Sequence, residues 1–288
     1  MFNLFKKNTY FVAPGSSYIN KDYFTSYYSK NRLAAAIGTQ NGNPVYIDID
    51  TAPHVLIAGG TGSGKSVCIN TMLCSLLYKN TPYDMQLYIC DPKKVEFMHY
   101  TTIPHVKQYA YDLLGIKAVI DNVYNIMMQR FDIMQREFKK HINDCGGSYP
   151  AIILVFDELA ALATDKQFYK EGVNKTLCQI LCLGRAAGVH CILATQRPDA
   201  KTIDGQIRAN IATRICFKVS TSAESRIVLD MAGGESLRGA GDCIVKLSNG
   251  DKGRVQGYYT PDPEIQALCN YYAPQPYTKK QLKQFNYI

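Results

Sequence analysis

The chain has 288 residues, of which 47% are hydrophobic and 19% charged, an ordinary globular composition with room for one large core or two modest ones. Disorder, a collagen helix and a disulfide miniprotein are excluded at once. Lys plus Arg outnumber Asp plus Glu by 32 to 24, for a net charge of +8. The surplus gathers in residues 1–50, in residues 271–288 and in one stretch of the nearly neutral middle. There Arg185, Arg197, Lys201, Arg208, Arg214, Lys218 and Arg226 face only Asp199, Asp204 and Glu224, a local excess that suits a polyanionic partner. The longest apolar run, Ala151 to Phe156, is far short of the roughly 18 to 20 residues that span a bilayer, so no intrinsic membrane segment is expected. The opening MFNLFKKNTYFV lacks a signal-peptide layout. Ten cysteines sit mostly inside apolar runs, without a C-x-x-C pair; they predict reduced core thiols and a cytoplasmic location.

In chain order, residues 1–40 are rich in Tyr, Asn, Ser and Lys and show no sustained period, which predicts an extension packed loosely on the core. Residues 44–49 suggest a short strand. From residue 54 onward, short apolar runs alternate with helical stretches: His54–Ala58, Gln86–Cys90, Ala151–Phe156, Cys191–Thr195, Arg214–Val219 and Cys243–Lys246 read as strands. Continuously apolar strands separated by helices predict an α/β fold with a mostly parallel sheet covered on both faces. The strongest helix is Gly115–Ile142, where Ile116, Val119, Ile120, Val123, Ile126, Met127, Met134 and Phe138 recur on one stripe. Thr221 and Glu224 form a capping box for a helix running through Leu229 to Met231, with Gly233 and Gly234 as its stop. One large domain over 41–262 and a tail over 263–288 complete the expected organisation.

The strand His54–Ala58 runs straight into Gly59, Gly60, Thr61, Gly62, Ser63, Gly64, Lys65 and Ser66, then into a periodic helix beginning at Val67. This is G-x-x-x-x-G-K-[ST] with a strand before it and a helix after it, the phosphate-binding loop of nucleotide-binding proteins. Its glycines let backbone N–H groups close around phosphate oxygens, and the helix N-terminus adds its dipole. Lys65 is expected on the β- and γ-phosphates of ATP, and Ser66 on Mg²⁺. Further on, AIILVFDE places Asp157 and Glu158 at the end of a buried strand. Asp157 is expected to hold the Mg²⁺ hydration shell while Glu158 polarises the attacking water, a pair that points to hydrolysis. The strand CILATQRP ends in Thr195 and Gln196, polar groups fit to sense the γ-phosphate or place water at a strand tip.

The motifs GGTGSGKS, DPK (Asp91 to Lys93), VFDELA, GRAAGVH, LATQRP, IRANIATRICFKVS, ESRIVLD and GGESLRGAGD, in this order, resemble the motor domain of FtsK/SpoIIIE-type DNA translocases over roughly residues 33 to 260. The resemblance implies a RecA-like P-loop NTPase that assembles as a homo-hexameric ring, hydrolyses ATP between subunits and moves double-stranded DNA through its pore. It makes Arg185 an arginine finger entering the neighbouring subunit's site, and sets Arg197, Arg208 and Arg226 where pore loops meet the DNA backbone. Ser222 stands where a pore-facing Lys is expected. The family's membrane helices and sequence-reading winged helix find no room here, which suggests DNA transfer or packaging for a mobile element, in conjugation for example, helped by a membrane-anchored or relaxase-type partner. Two other readings stay open: a type VII-like protein-secretion ATPase, and a nucleotide-gated DNA-binding or assembly switch. Lys65, Asp157 and Glu158 together speak against the switch.

Overall fold

A computed structural model describes residues 31–164, 172–203 and 205–273. The first 30 residues of the expected extension, Asp204 of the basic stretch, and residues 274–288 of the tail lie outside the described residues. The elements run β1 (Ala34–Gln40), β2 (Asn43–Asp48), β3 (His54–Ala58), α1 (Lys65–Leu77), β4 (Met85–Cys90), β5 (Val106–Ala110), α2 (Leu113–Arg136), β6 (Ala151–Phe156), α3 (Ala160–Thr164), α4 (Val173–Leu183), β7 (Val189–Thr195), α5 (Gly205–Asn210), β8 (Thr213–Phe217), α6 (Ser222–Leu229), β9 (Asp242–Lys246), β10 (Lys252–Gly257) and α7 (Asp262–Tyr272).

The strands form one sheet in the order β2-β1-β10-β9-β8-β3-β7-β6-β4-β5. From β8 to β5 every pairing is parallel, and from β8 to β2 every pairing is antiparallel. β3, β6 and β7 are buried along their whole length, the pattern of strands covered on both faces. Alternate side chains serve opposite layers. Val55, Ile57, Ile153 and Val155 pack with Ile69, Met72 and Leu73 of α1 and Ile265 and Leu268 of α7. Leu56, Ile152, Leu154 and Phe156 pack with Ile116 and Val123 of α2, Leu177 of α4, Ile207 of α5 and Val228 of α6. Among the described residues, no helix is long and apolar enough to cross a membrane.

Several expectations change. Residues 34–37 are not part of a loose extension: they are almost fully buried in β1, and the Ala36 N–H donates to Ser75 Oγ of α1 at 3.0 Å. The expected domain end at 262 opens α7 instead, whose Ile265, Leu268 and Cys269 are buried. α2 stops at Arg136, six residues before the expected end. Phe138 turns left-handed (φ 54°), its N–H donates to the Gln135 carbonyl and that of Lys139 to the Met134 carbonyl. That pair of bonds is a Schellman ending with Phe in the place glycine usually takes. Phe138 therefore leaves the apolar stripe and is 95% exposed. The capping box of α6 is present, but Asp230 at φ 61° ends the helix before the glycines do; its carboxylate accepts from Arg214 and Lys246. Of the ten cysteines, Cys178 is half-buried and Cys182 exposed, both on α4, while the other eight are buried.

Candidate functional site: a phosphate-binding cleft at the strand tips

The loop after β3 begins by crossing between two neighbouring strands. The Gly59 N–H donates to the Thr195 carbonyl of β7 at 3.2 Å, and the Gly60 N–H to the Lys218 carbonyl beyond β8 at 2.8 Å. Gly64 then turns at φ 113° into α1, against the backbone of Gly241. The Gly241 N–H donates to the Ser63 carbonyl at 3.0 Å, so the Gly239–Gly241 loop braces the phosphate-binding loop from below. A Cβ at Gly64 stands 2.9 Å from Gly241 Cα, so no other residue fits without moving that brace. Among the described residues, the N–H groups of Thr61, Gly62, Gly64, Lys65 and Ser66 have no acceptor. At the N-terminus of a 13-residue helix, they form the concave donor set that a chain of phosphates fits.

Lys65 is 3% exposed, and its Nζ lies 3.3 Å from Asp157 Oδ1. Asp157 follows β6, is fully buried and keeps Oδ2 without a hydrogen bond. An oxygen left unsatisfied among the described residues suits a hydrated divalent cation. Glu158 is held on three sides. Its Oε1 accepts from Thr195 Oγ1 at 2.9 Å and from the Gln196 N–H at 3.0 Å; its Oε2 accepts from Lys93 Nζ at 3.2 Å. Gln196 ties the tip of β7 to the loop by accepting from Thr61 Oγ1 at 3.2 Å. β3, β6 and β7 are adjacent and parallel, with Ala58 opposite Thr195, which brings Lys65, Asp157, Glu158 and Gln196 to one edge. The cleft in front of the loop has a volume of about 500 Å³ and extends to Glu96, Gln256, Tyr258 and Tyr259.

The arginines are placed differently. Arg185 is exposed in the turn before β7, at the opposite end of that strand from Gln196. Seven residues of strand amount to about 20 Å, beyond the reach of a side chain. Arg197 is exposed just past Gln196, Arg208 lies partly exposed on α5, and Arg226 is exposed on α6. Arg214, counted with the basic stretch in the sequence, is a structural cation. It is buried, donates to the carbonyls of Ile211, Val228 and Arg208, and pairs with Asp230. Ser222 is the first residue of α6.

Sequence reasoning did not assign roles to Lys93, to the Thr195 contact with Glu158, or to the Gly241 brace and the Tyr258–Tyr259 wall. Lys93 and Gly241 stood inside recognised motifs, but their partners lie far away in sequence. The two tyrosines gave no local signal.

A parallel sheet whose central strand feeds a phosphate-binding loop, with an acid pair on the next strand but one, defines a RecA-like P-loop NTPase. Within that class, the sequence model of the FtsK/SpoIIIE family matches residues 19–148, and this domain is of the FtsK/SpoIIIE type. DNA translocase SftA of Bacillus subtilis (strain 168) is 39% identical over 259 residues, covering 86% of this chain and 27% of that protein. DNA translocase FtsK of Caldanaerobacter subterraneus subsp. tengcongensis is 36% identical over 250 residues, covering 84% and 35%. The chain thus spans about a third or less of the length of these curated relatives. Among solved structures, the pCW3 conjugation coupling protein TcpA superposes with a TM-score of 0.78 at 26% identity, covering 90% of this chain and 75% of that one. The cytoplasmic domain of the type VII secretion ATPase EccC from Thermomonospora curvata shares the fold, with a TM-score of 0.75 at 23% identity over 94% of this chain and 34% of that one.

Proposed function

We propose that the chain is an ATPase that drives translocation of double-stranded DNA as a homo-hexameric ring. The observation that carries this reading is the 34–39% identity, over 84–90% of the chain, to proteins named DNA translocases, and the gathering of Lys65, Asp157, Glu158 and Gln196 at one edge of the sheet supports it. The free N–H groups of Thr61, Gly62, Gly64, Lys65 and Ser66 and the Lys65 ammonium hold the phosphates of ATP. Ser66 and Asp157 would hold Mg²⁺, which offsets phosphate charge when bound. Glu158 takes a proton from the attacking water, and Gln196, tied to both the loop and Glu158, orients that water.

Arg185 cannot reach the cleft of its own chain, so its reading as a finger requires a neighbouring copy, and a ring supplies one at every interface. Arg197, Arg208 and Arg226 contact DNA phosphates, which makes binding insensitive to base sequence and sensitive to salt. The likeness to a conjugation coupling protein supports a role in DNA transfer for a mobile element, and we add to it a cytoplasmic location and a membrane-anchored or relaxase-type partner.

The test is steady-state ATP turnover with and without unrelated linear duplexes across a salt series. Stimulation by every duplex at low salt, falling steeply with added salt and weakened in Arg197→Ala, Arg208→Ala and Arg226→Ala, is expected. Turnover indifferent to duplex DNA with the ring assembled contradicts the reading and favours a protein-secretion ATPase.

A further inference from the structure

Glu158 is 8% exposed, and each of its carboxylate oxygens is engaged. The two donors on Oε1 belong to the tip of β7, where Thr195 is fully buried; they fix the direction of the carboxylate. The donor on Oε2 is of another kind. Lys93 sits on the turn after β4, its side chain is 36% exposed, and its Nζ reaches both acids, at 3.2 Å from Glu158 Oε2 and 3.8 Å from Asp157 Oδ2. With both β7 donors on Oε1, Oε2 is the oxygen that Lys93 alone engages among the described residues. A carboxylate accepts a proton from water through an oxygen free to meet that water, and an ammonium hydrogen-bonded there competes for it.

The turn that carries Lys93 is pinned at its ends, and at its crest Lys94 donates its N–H to the Asp91 carbonyl at 3.1 Å and sets its Nζ 3.8 Å from the centre of the Tyr111 ring. Asp91 is fully buried, and its Oδ2 accepts from the Phe97 N–H at 3.2 Å and from Tyr109 Oη at 3.0 Å. Phe97 is fully buried as well. Between them Lys94 turns left-handed at φ 60°, Val95 is 67% exposed, and Glu96 lines the nucleotide cleft. One side of the crest therefore faces the cleft and the other faces outward, with Lys93 linking it to the acids.

We propose that Lys93 is a positioning residue that restrains Glu158 from activating water, and that displacement of the residue 93–96 crest releases it. The inference rests on the assignment of Glu158 as the base. Lys93→Ala removes the restraint and leaves both β7 donors in place. It should raise kcat for ATP without DNA about three- to five-fold, the worth of one half-exposed ion pair, with KM unchanged, and should shrink the stimulation by duplex DNA correspondingly. Lys93→Met, which keeps the aliphatic stem, should behave the same way, and Lys93→Arg, which keeps a cation, should retain the low basal rate. Melting curves establish that each variant is folded.

A basal kcat in Lys93→Ala and Lys93→Met that is unchanged or lowered overturns the restraint, and so does a raised KM, which marks Lys93 as a phosphate ligand. Glu158→Gln separates the two levels. If it turns over at the parental rate, the base assignment falls and the restraint with it. If it is inactive while Lys93→Ala is not accelerated, the restraint alone falls.

Discussion

Alanine at Gly64 and alanine at Gly62 impose the same kind of backbone strain in very different surroundings. Both glycines lie at positive φ, 113° and 72°, where a side chain costs on the order of 1–3 kcal/mol. At Gly62 a Cβ meets nothing within 4 Å, so strain is the whole effect. At Gly64 the Cβ falls 2.9 Å from both Cα and N of Gly241, backbone atoms that cannot rotate away, and 3.3 Å from the Phe217 ring. Relief requires the Gly239–Gly241 loop to retreat, which breaks the 3.0 Å bond from the Gly241 N–H to the Ser63 carbonyl and removes about 1 kcal/mol more. Gly64→Ala should therefore be the costlier of the two by about 1–2 kcal/mol. At about 2–4 °C per kcal/mol, the melting midpoint should fall roughly 2–8 °C further in Gly64→Ala than in Gly62→Ala, measured by circular dichroism without nucleotide. A fluorescent ATP analogue should lose affinity more in the same variant. Equal melting shifts, or a milder effect at Gly64, would refute the brace between the two loops.

Two further predictions concern the far end of the sheet. Arg185→Ala should bind nucleotide normally but fail in turnover, and mixing it with inactive Lys65→Ala should restore partial activity at interfaces pairing an intact loop with an intact arginine; no recovery at any ratio rules out action between chains. His54 and His190 are buried on neighbouring strands, and burial lowers their pKa from 6.5 to about 4 and about 3. The unfolded chain takes up protons on them below pH 6.5 while the folded chain does not, so their contribution is complete above 6.5 and declines as pH falls toward 4, by roughly 3 kcal/mol for His54. His54→Leu should flatten the fall in melting temperature between pH 7 and pH 5, and an unchanged slope counts against the assignment.

What the sequence makes legible is local. Strand, GGTGSGKS and helix are contiguous, so β3, the phosphate-binding loop and α1 follow from pattern alone, and AIILVF leads directly to Asp157 and Glu158. β1 escapes because Ala34, Ala35 and Ala36 carry almost no periodic hydrophobic signal, although the sheet buries them. β10, KGRVQG, is too polar to read as a strand; antiparallel pairing with β9 and β1 holds it. Phe138 fits the helical stripe by spacing, yet the carbonyl bonds that end α2 depend on backbone geometry no period reports. Lys93 meets Glu158 only because β4 lies beside β6, a fact of strand order. Arg214 shows the same limit in reverse, since its charge is visible in the sequence and its three carbonyl partners are not.

The central claim, that ATP turnover at this cleft moves the chain along duplex DNA, is tested most directly by displacement of a third strand. A triplex-forming oligonucleotide is annealed to one end of a linear duplex, and its release is followed after protein and ATP are added at low salt. ATP-dependent release, delayed in proportion to the length of duplex ahead of the triplex and absent in Lys65→Ala and Glu158→Gln, is the result expected. Rapid ATP hydrolysis in the presence of the same duplex, with the third strand left in place at every length, would contradict it.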